Sequence, residues 1–152
     1  MSYSIEELQD IIVESCHELL EEQPLLFLRE VDIGERAVSN GLSVKIDSRI
    51  EGYHVNCEYN RMTNEQGNQD PKRIIIDPDN PDPSLVSPDI IIHEQENGDN
   101  NLLVIEIKMS WKNGARERDF EKIIGYINDL NYQYGLYLEL GEGGITDMRW
   151  FL

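Results

Sequence analysis

Asp89, Glu106 and Lys108 are residue types able to hold a hard cation and steer a water, and they flank two apolar runs, 90–92 and 102–107. The polar segment between the runs contains Asn97-Gly98, a strong signal for a tight hairpin turn. Counting eight residues outward along each arm from that pair sets Asp89 opposite Glu106. Directly opposed residues of an antiparallel pair share a face, with Cβ atoms about 5 Å apart. Two carboxylates at that distance repel unless a cation lies between them or one keeps its proton. Alternation puts Lys108 on the Glu106 face, beside the pair. Opposed carboxylates suit a hard divalent ion such as Mg²⁺ or Mn²⁺, which acidifies nearby water and offsets charge on a phosphate. The expectation rests on register, because a slip of one residue reverses every side chain.

Other chemistry is thin. His17, His54 and His93 form no metal-spaced set, and Cys16 and Cys57 are too few for a disulfide framework. No Gly-rich phosphate loop and no nucleophile elbow is present. Trp111, just past Lys108, reads as a packing residue.

The elements that must position these residues can be read from periodicity. Residues 4–22 predict an amphipathic helix, with Ser4 and Glu7 in a capping box and Ile5, Leu8, Ile12, Cys16, Leu19 and Leu20 at helical spacing. A second helix is expected from near Asp32 to Ile46, interrupted in pattern by Gly41. Residues 53–59 alternate as a half-buried strand. Residues 62–87 are polar and proline-rich and read as a long loop with a short strand at 73–76. After the hairpin, residues 115–130 predict a helix with an apolar stripe of Phe120, Ile123, Ile124, Ile127 and Leu130. Residues 132–140 and 145–152 make two further strands around a glycine turn. The order α-α-β-β-β-α-β-β gives an α+β or mixed α/β chain, 1–152 forming one domain around one sheet.

The chain has 152 residues and a formal charge of −17, from thirty acids against thirteen bases. Proteins that grip phosphates usually present basic surfaces, so bulk DNA should repel this one. The charge is uneven: residues 108–122 hold five bases against three acids, a local +2 that leaves the remainder at −19. No basic-then-apolar leader and no membrane-length apolar run is visible, so a cytoplasmic protein without membrane association is expected.

On "SPDIIIHE" and "NLLVIEIK" the chain resembles the PD-(D/E)XK nuclease superfamily. Pro88-Asp89 matches the first element and Glu106-Ile107-Lys108 the second. The resemblance covers roughly residues 32–140 and implies a restriction-endonuclease-like α-β-β-β-α-β core, a central mixed sheet flanked by helices. The acidic first helix, 1–24, is then an addition. It also implies Asp89 and Glu106 as metal ligands, the Ile107 carbonyl as a third, and Lys108 as the group that orients the attacking water. Many members carry a further acid on the helix before the first core strand, and Glu35 matches it; Asp32 to Glu35 also fits an acidic helix cap. The helix after the motif often faces the substrate backbone, which here nominates Lys112, Arg116, Arg118 and Lys122 for phosphate contact. The implied function is Mg²⁺- or Mn²⁺-dependent hydrolysis of nucleic acid, DNA before RNA. The acidity favours an alternative, an inactive or partner-dependent nuclease-fold protein. The acidic face would then bind a basic protein or a second copy of the chain.

Overall fold

Ser4 caps the first helix: its hydroxyl accepts the Glu7 N–H at 3.2 Å while Glu7 Oε1 accepts the Ser4 N–H at 3.1 Å. Helix α1 runs Ile5–Glu22 and buries Leu8, Ile12, Cys16 and Leu19 along one face. The computed structural model describes residues 2–58, 61–63, 69–71, 73–74, 84–85, 87–112, 114 and 116–152, the segments between 61 and 85 by backbone alone. A 3-10 turn, Pro24–Phe27, leads to helix α2, Glu35–Asp47. This helix starts later than expected, and the anticipated cap from Asp32 does not form. Its N-cap is Gly34 at φ 109°, a conformation that favours glycine, with no side-chain cap bond. Asp32 is engaged elsewhere, accepting from Trp111 Nε1 at 3.2 Å and from Lys112 Nζ at 3.1 Å. Gly41 has a packing reason: a Cβ there would stand 2.8 Å from Leu19 Cδ1, so the glycine lets α1 and α2 approach closely.

Five strands form one mixed sheet in the order β1 (His54–Cys57), β2 (Ile90–Glu94), β3 (Asn97–Met109), β4 (Tyr134–Gly141) and β5 (Gly144–Phe151). Neighbours are antiparallel except β3 and β4, which are parallel and joined through helix α3, Arg116–Leu130. A parallel pair requires such a crossover. Ile105, Ile107 and Met109 pair with Leu136, Leu138 and Leu140, and all six join α1 and α2 in the main core. Each such buried aliphatic side chain contributes about 1.5–3 kcal/mol. On the opposite face Ile91 and Val104 pack with Tyr126, Leu130 and Tyr132 under α3. The first helix is thus part of the principal core.

Two departures from the sequence expectation matter for the site. The hairpin turns at Gln95-Glu96, with Glu94 paired to Asn97, and not at Asn97-Gly98. Gln95 is tied to β1: its N–H reaches His54 Nδ1 at 3.1 Å and its Nε2 reaches Asn56 Oδ1 at 3.0 Å. An unbroken ladder from that turn would oppose Ile92 to Asp99. Register shifts on either side of His93 instead bring Ile92 to Leu103, Ile91 to Val104 and Ile90 to Ile105. Carried one residue past the last ladder pair, this register sets Asp89, just before β2, across from Glu106, the opposition expected, reached from a different turn.

Helix α3 is also rotated relative to its predicted stripe. Ile123 and Leu130 are buried, but Ile124 is 46% exposed and Tyr126 lies fully buried against the sheet. The close contact is at Gly135, where a Cβ would meet Ile123 Cγ2 at 2.2 Å. In the 62–87 segment, Arg61–Thr63 pairs with Gln69–Pro71 and Arg73–Ile74 with Ser84–Leu85. Residues 64–68, 72, 75–83 and 86 of the expected loop, including the end of its short strand, lie outside the described residues.

Candidate active site

Asp89 follows buried Pro88 at the entry to β2. Its Oδ2 accepts the Ile107 N–H at 2.7 Å, so a carboxylate replaces a backbone acceptor where β2 begins. Across the ladder, Glu106 is buried on the α3 face of the sheet. Two groups from α3 reach the same oxygen: Tyr126 donates its O–H to Glu106 Oε1 at 3.0 Å, and Lys122 Nζ lies 3.3 Å from it. Lys108 shares that face, but its ammonium pairs with Asp119 Oδ2 at 3.5 Å. Gly114 lies close against it, since a Cβ there would meet Lys108 Nζ at 2.5 Å. Glu35, at the first turn of α2, comes from the opposite layer, its Oε1 accepting the Met109 N–H at 3.4 Å.

The electrostatics follow from these placements. Burial, first, and then the charge of Asp89 hold the Glu106 carboxyl well above the ordinary carboxylate range; Lys122 and Tyr126 oppose the shift. Asp89 is likewise raised, mainly by burial, against the Ile107 N–H and Lys122. Glu35 is raised by burial and by the charges of Asp89 and Asp119, with Lys108 opposing. Burial and the neighbouring Glu106 push the Tyr126 phenol upward, which keeps it a donor. Four carboxylates (Glu35, Asp89, Glu106, Asp119) thus meet two ammoniums (Lys108, Lys122), a formal −2 with every group ionised.

Most of the bases expected to contact phosphate are engaged. Lys112 pairs with Asp32 at 3.1 Å. Arg116 bonds buried Glu139 Oε1 at 2.6 Å, in a network with the Tyr137 and Thr146 hydroxyls at 2.9 and 2.8 Å. Lys122 turns inward to Glu106. Arg118 is exposed and has no ion partner among the described residues.

Asp119 and Tyr126 join the cluster although the apolar pattern of α3 does not single them out, and Lys122 faces inward and not toward a phosphate. The missed signal is spacing: 119, 122 and 126 recur at three and four residues, one helix face bearing an acid, a base and a phenol. Trp111 packs on the main core, as expected. His93 is buried with Nε2 2.8 Å from Asn56 Oδ1. A shallow depression of about 730 Å³ lined by Gly52, Tyr53, His54, Glu94, Gln95 and Glu96 lies at the turn end of the hairpin, away from this cluster.

Among the described residues no three His, Cys, Asp or Glu side chains are arranged to hold a metal ion. The donor set available is the two neighbouring carboxylates, hard oxygens that burial, and for Glu106 also the charge of Asp89, leave short of positive charge. That set fits a divalent cation that takes one or two carboxylates and completes its shell with water or a backbone carbonyl. Comparison with family models, with curated proteins and with solved structures found no match.

Proposed function

We propose that this chain is a divalent-metal-dependent nuclease of the PD-(D/E)XK type. The observation that carries the reading is the placement of Asp89, bound to the Ile107 N–H at the entry to β2, beside Glu106 of β3, both with raised carboxyl pKa, in a cluster of formal charge −2. A doubly charged cation would balance that cluster. Asp89 and Glu106 would hold it, with the Ile107 carbonyl as a further oxygen and Glu35 nearby. Bound there, Mg²⁺ or Mn²⁺ supplies positive charge toward a phosphate and acidifies adjacent water. The chain's own residues do the rest. Asp89, anchored by the Ile107 N–H, fixes the first carboxylate, and Tyr126 fixes the second. Lys108, held by Asp119 on the same face, orients water or meets charge developing on the phosphate. The restriction-endonuclease-like arrangement is supported by the sequence of α2, β1, β2, β3, α3 and β4 around a mixed sheet.

A second reading is a nuclease-fold protein that works by binding a partner. It is favoured by one observation: three of the four bases nominated for phosphate contact are occupied by acids of the chain itself.

The deciding experiment is cleavage of single- and double-stranded DNA and RNA with Mg²⁺ or Mn²⁺, comparing the native chain with Asp89→Asn, Glu106→Gln and Lys108→Ala. Each change should lower the rate about 100-fold or more while circular dichroism stays native. Activity that persists in all three would remove the site assignment. Absence of cleavage on every substrate would favour the partner-binding reading.

A further inference from the structure

We infer that Lys122 is a built-in counter-cation for Glu106, a positioning residue that a divalent ion must share the carboxylate with. The inference rests on the metal-site reading above and extends it to a group outside the Asp-Glu-Lys set.

Glu106 is the most confined acid of the cluster, 4% exposed at its side chain, while Lys122 is 24% exposed. Its Nζ lies 3.3 Å from Oε1. A buried carboxylate without a compensating charge is strongly unfavourable, so the side chain that supplies the charge is tied to the fold. Lys108, the nearer base in sequence, does not serve Glu106, because its ammonium is directed to Asp119. Tyr126, one helical turn beyond Lys122, donates to the same Oε1. Both α3 contacts therefore converge on one oxygen of Glu106.

Two consequences of opposite sign follow. In the metal-free protein Lys122 stabilises the fold wherever Glu106 is ionised, by offsetting its buried charge. Toward an incoming divalent ion it is a like charge a few ångströms from the shared ligand, and it weakens binding. Lys122 therefore sets how much metal the site demands.

The test uses the full chain and two readouts. In chelator, urea denaturation of native, Lys122→Met, Glu106→Gln and the double variant forms a cycle. Lys122→Met should lower the urea midpoint by about 1 M in the native background and leave it nearly unchanged beside Glu106→Gln. Lys122→Arg should restore it. Calorimetry with Mn²⁺ at about pH 8.5, above the ordinary carboxylate range, should show Lys122→Met binding tighter by about 10-fold or more, and Lys122→Arg binding like the native chain.

Equal loss of stability in both backgrounds would mean Lys122 is packing only and would overturn the inference. Weaker Mn²⁺ binding in Lys122→Met would also overturn it. Binding by Lys122→Met but not by the native chain would support it strongly. If the cycle shows coupling and neither protein binds Mn²⁺, the counter-cation stands, the competition is refuted, and the metal-site reading falls with it.

Discussion

At the scale of single residues, two raised carboxyl pKa values make a directional prediction. A group whose folded pKa lies above its unfolded value binds more protons in the folded state, so its stabilisation is full below the unfolded pKa and fades as pH rises through the folded one. For Glu106 and Asp89 the unfolded values are near 4.5 and 3.8. Stability in chelator should therefore decline as pH climbs from the ordinary carboxylate range toward neutrality. Mg²⁺ should remove most of that decline, because it replaces the proton as the source of positive charge. Urea midpoints measured across pH with and without Mg²⁺ check this, and a flat profile in chelator would contradict it. Cys16, by contrast, is pushed up to about 12 by burial alone and should be inert to thiol reagents in the folded chain.

Among the elements, the hairpin and α3 carry the most information. Gly135 is the point where α3 meets β4, and the neighbour a methyl group would strike is the branched, stiff side chain of Ile123 at 2.2 Å. Gly135→Ala should therefore cost about 1–3 kcal/mol in urea denaturation. Gly41→Ala meets the end of the Leu19 side chain at 2.8 Å, and because Leu19 is buried between α1 and α2 its shift should offset the gain in helix propensity, leaving a smaller loss than at Gly135. The same elements show what the sequence could disclose. The Asp89–Glu106 register was legible because the apolar runs 90–92 and 102–107 must alternate between two cores, which fixes pairing whatever the turn does. The turn itself falls two residues before the expected Asn97-Gly98. Asn97-Gly98 has the local chemistry, but contacts from His54 and Asn56 to Gln95 decide the matter, and those partners are forty residues away. The rotation of α3 escaped for a related reason. Tyr126 is polar enough to sit outside an apolar stripe, yet it is buried because Glu106 accepts its hydroxyl hydrogen.

For the whole molecule, the charge of −17 sets the terms of any encounter with a polyanion. Part of the acidity of α1 is met internally, with Lys45 and Arg49 of the α2 region pairing Glu18 and Glu22. Of the four bases nominated for phosphate contact, only Arg118 lacks an ion partner among the described residues. Binding to nucleic acid should then release few counterions, and log affinity against log salt should have a slope no steeper than about −2. A slope near −6 would show that the internal ion pairs open on binding. The described helices include none long and apolar enough to cross a membrane.

The bulged end of the hairpin has a practical meaning. Regular pairing resumes only at Ile92, and the turn at Gln95-Glu96 lies about 20 Å along the strand from Asp89. A segment that already accommodates register shifts insulates the carboxylates from changes in loop length beyond it. That makes the exposed Glu96 a suitable attachment point: a fluorophore fixed there, with the Gln95 contacts to β1 kept, would report on the chain while leaving the cluster at the other end of the hairpin undisturbed.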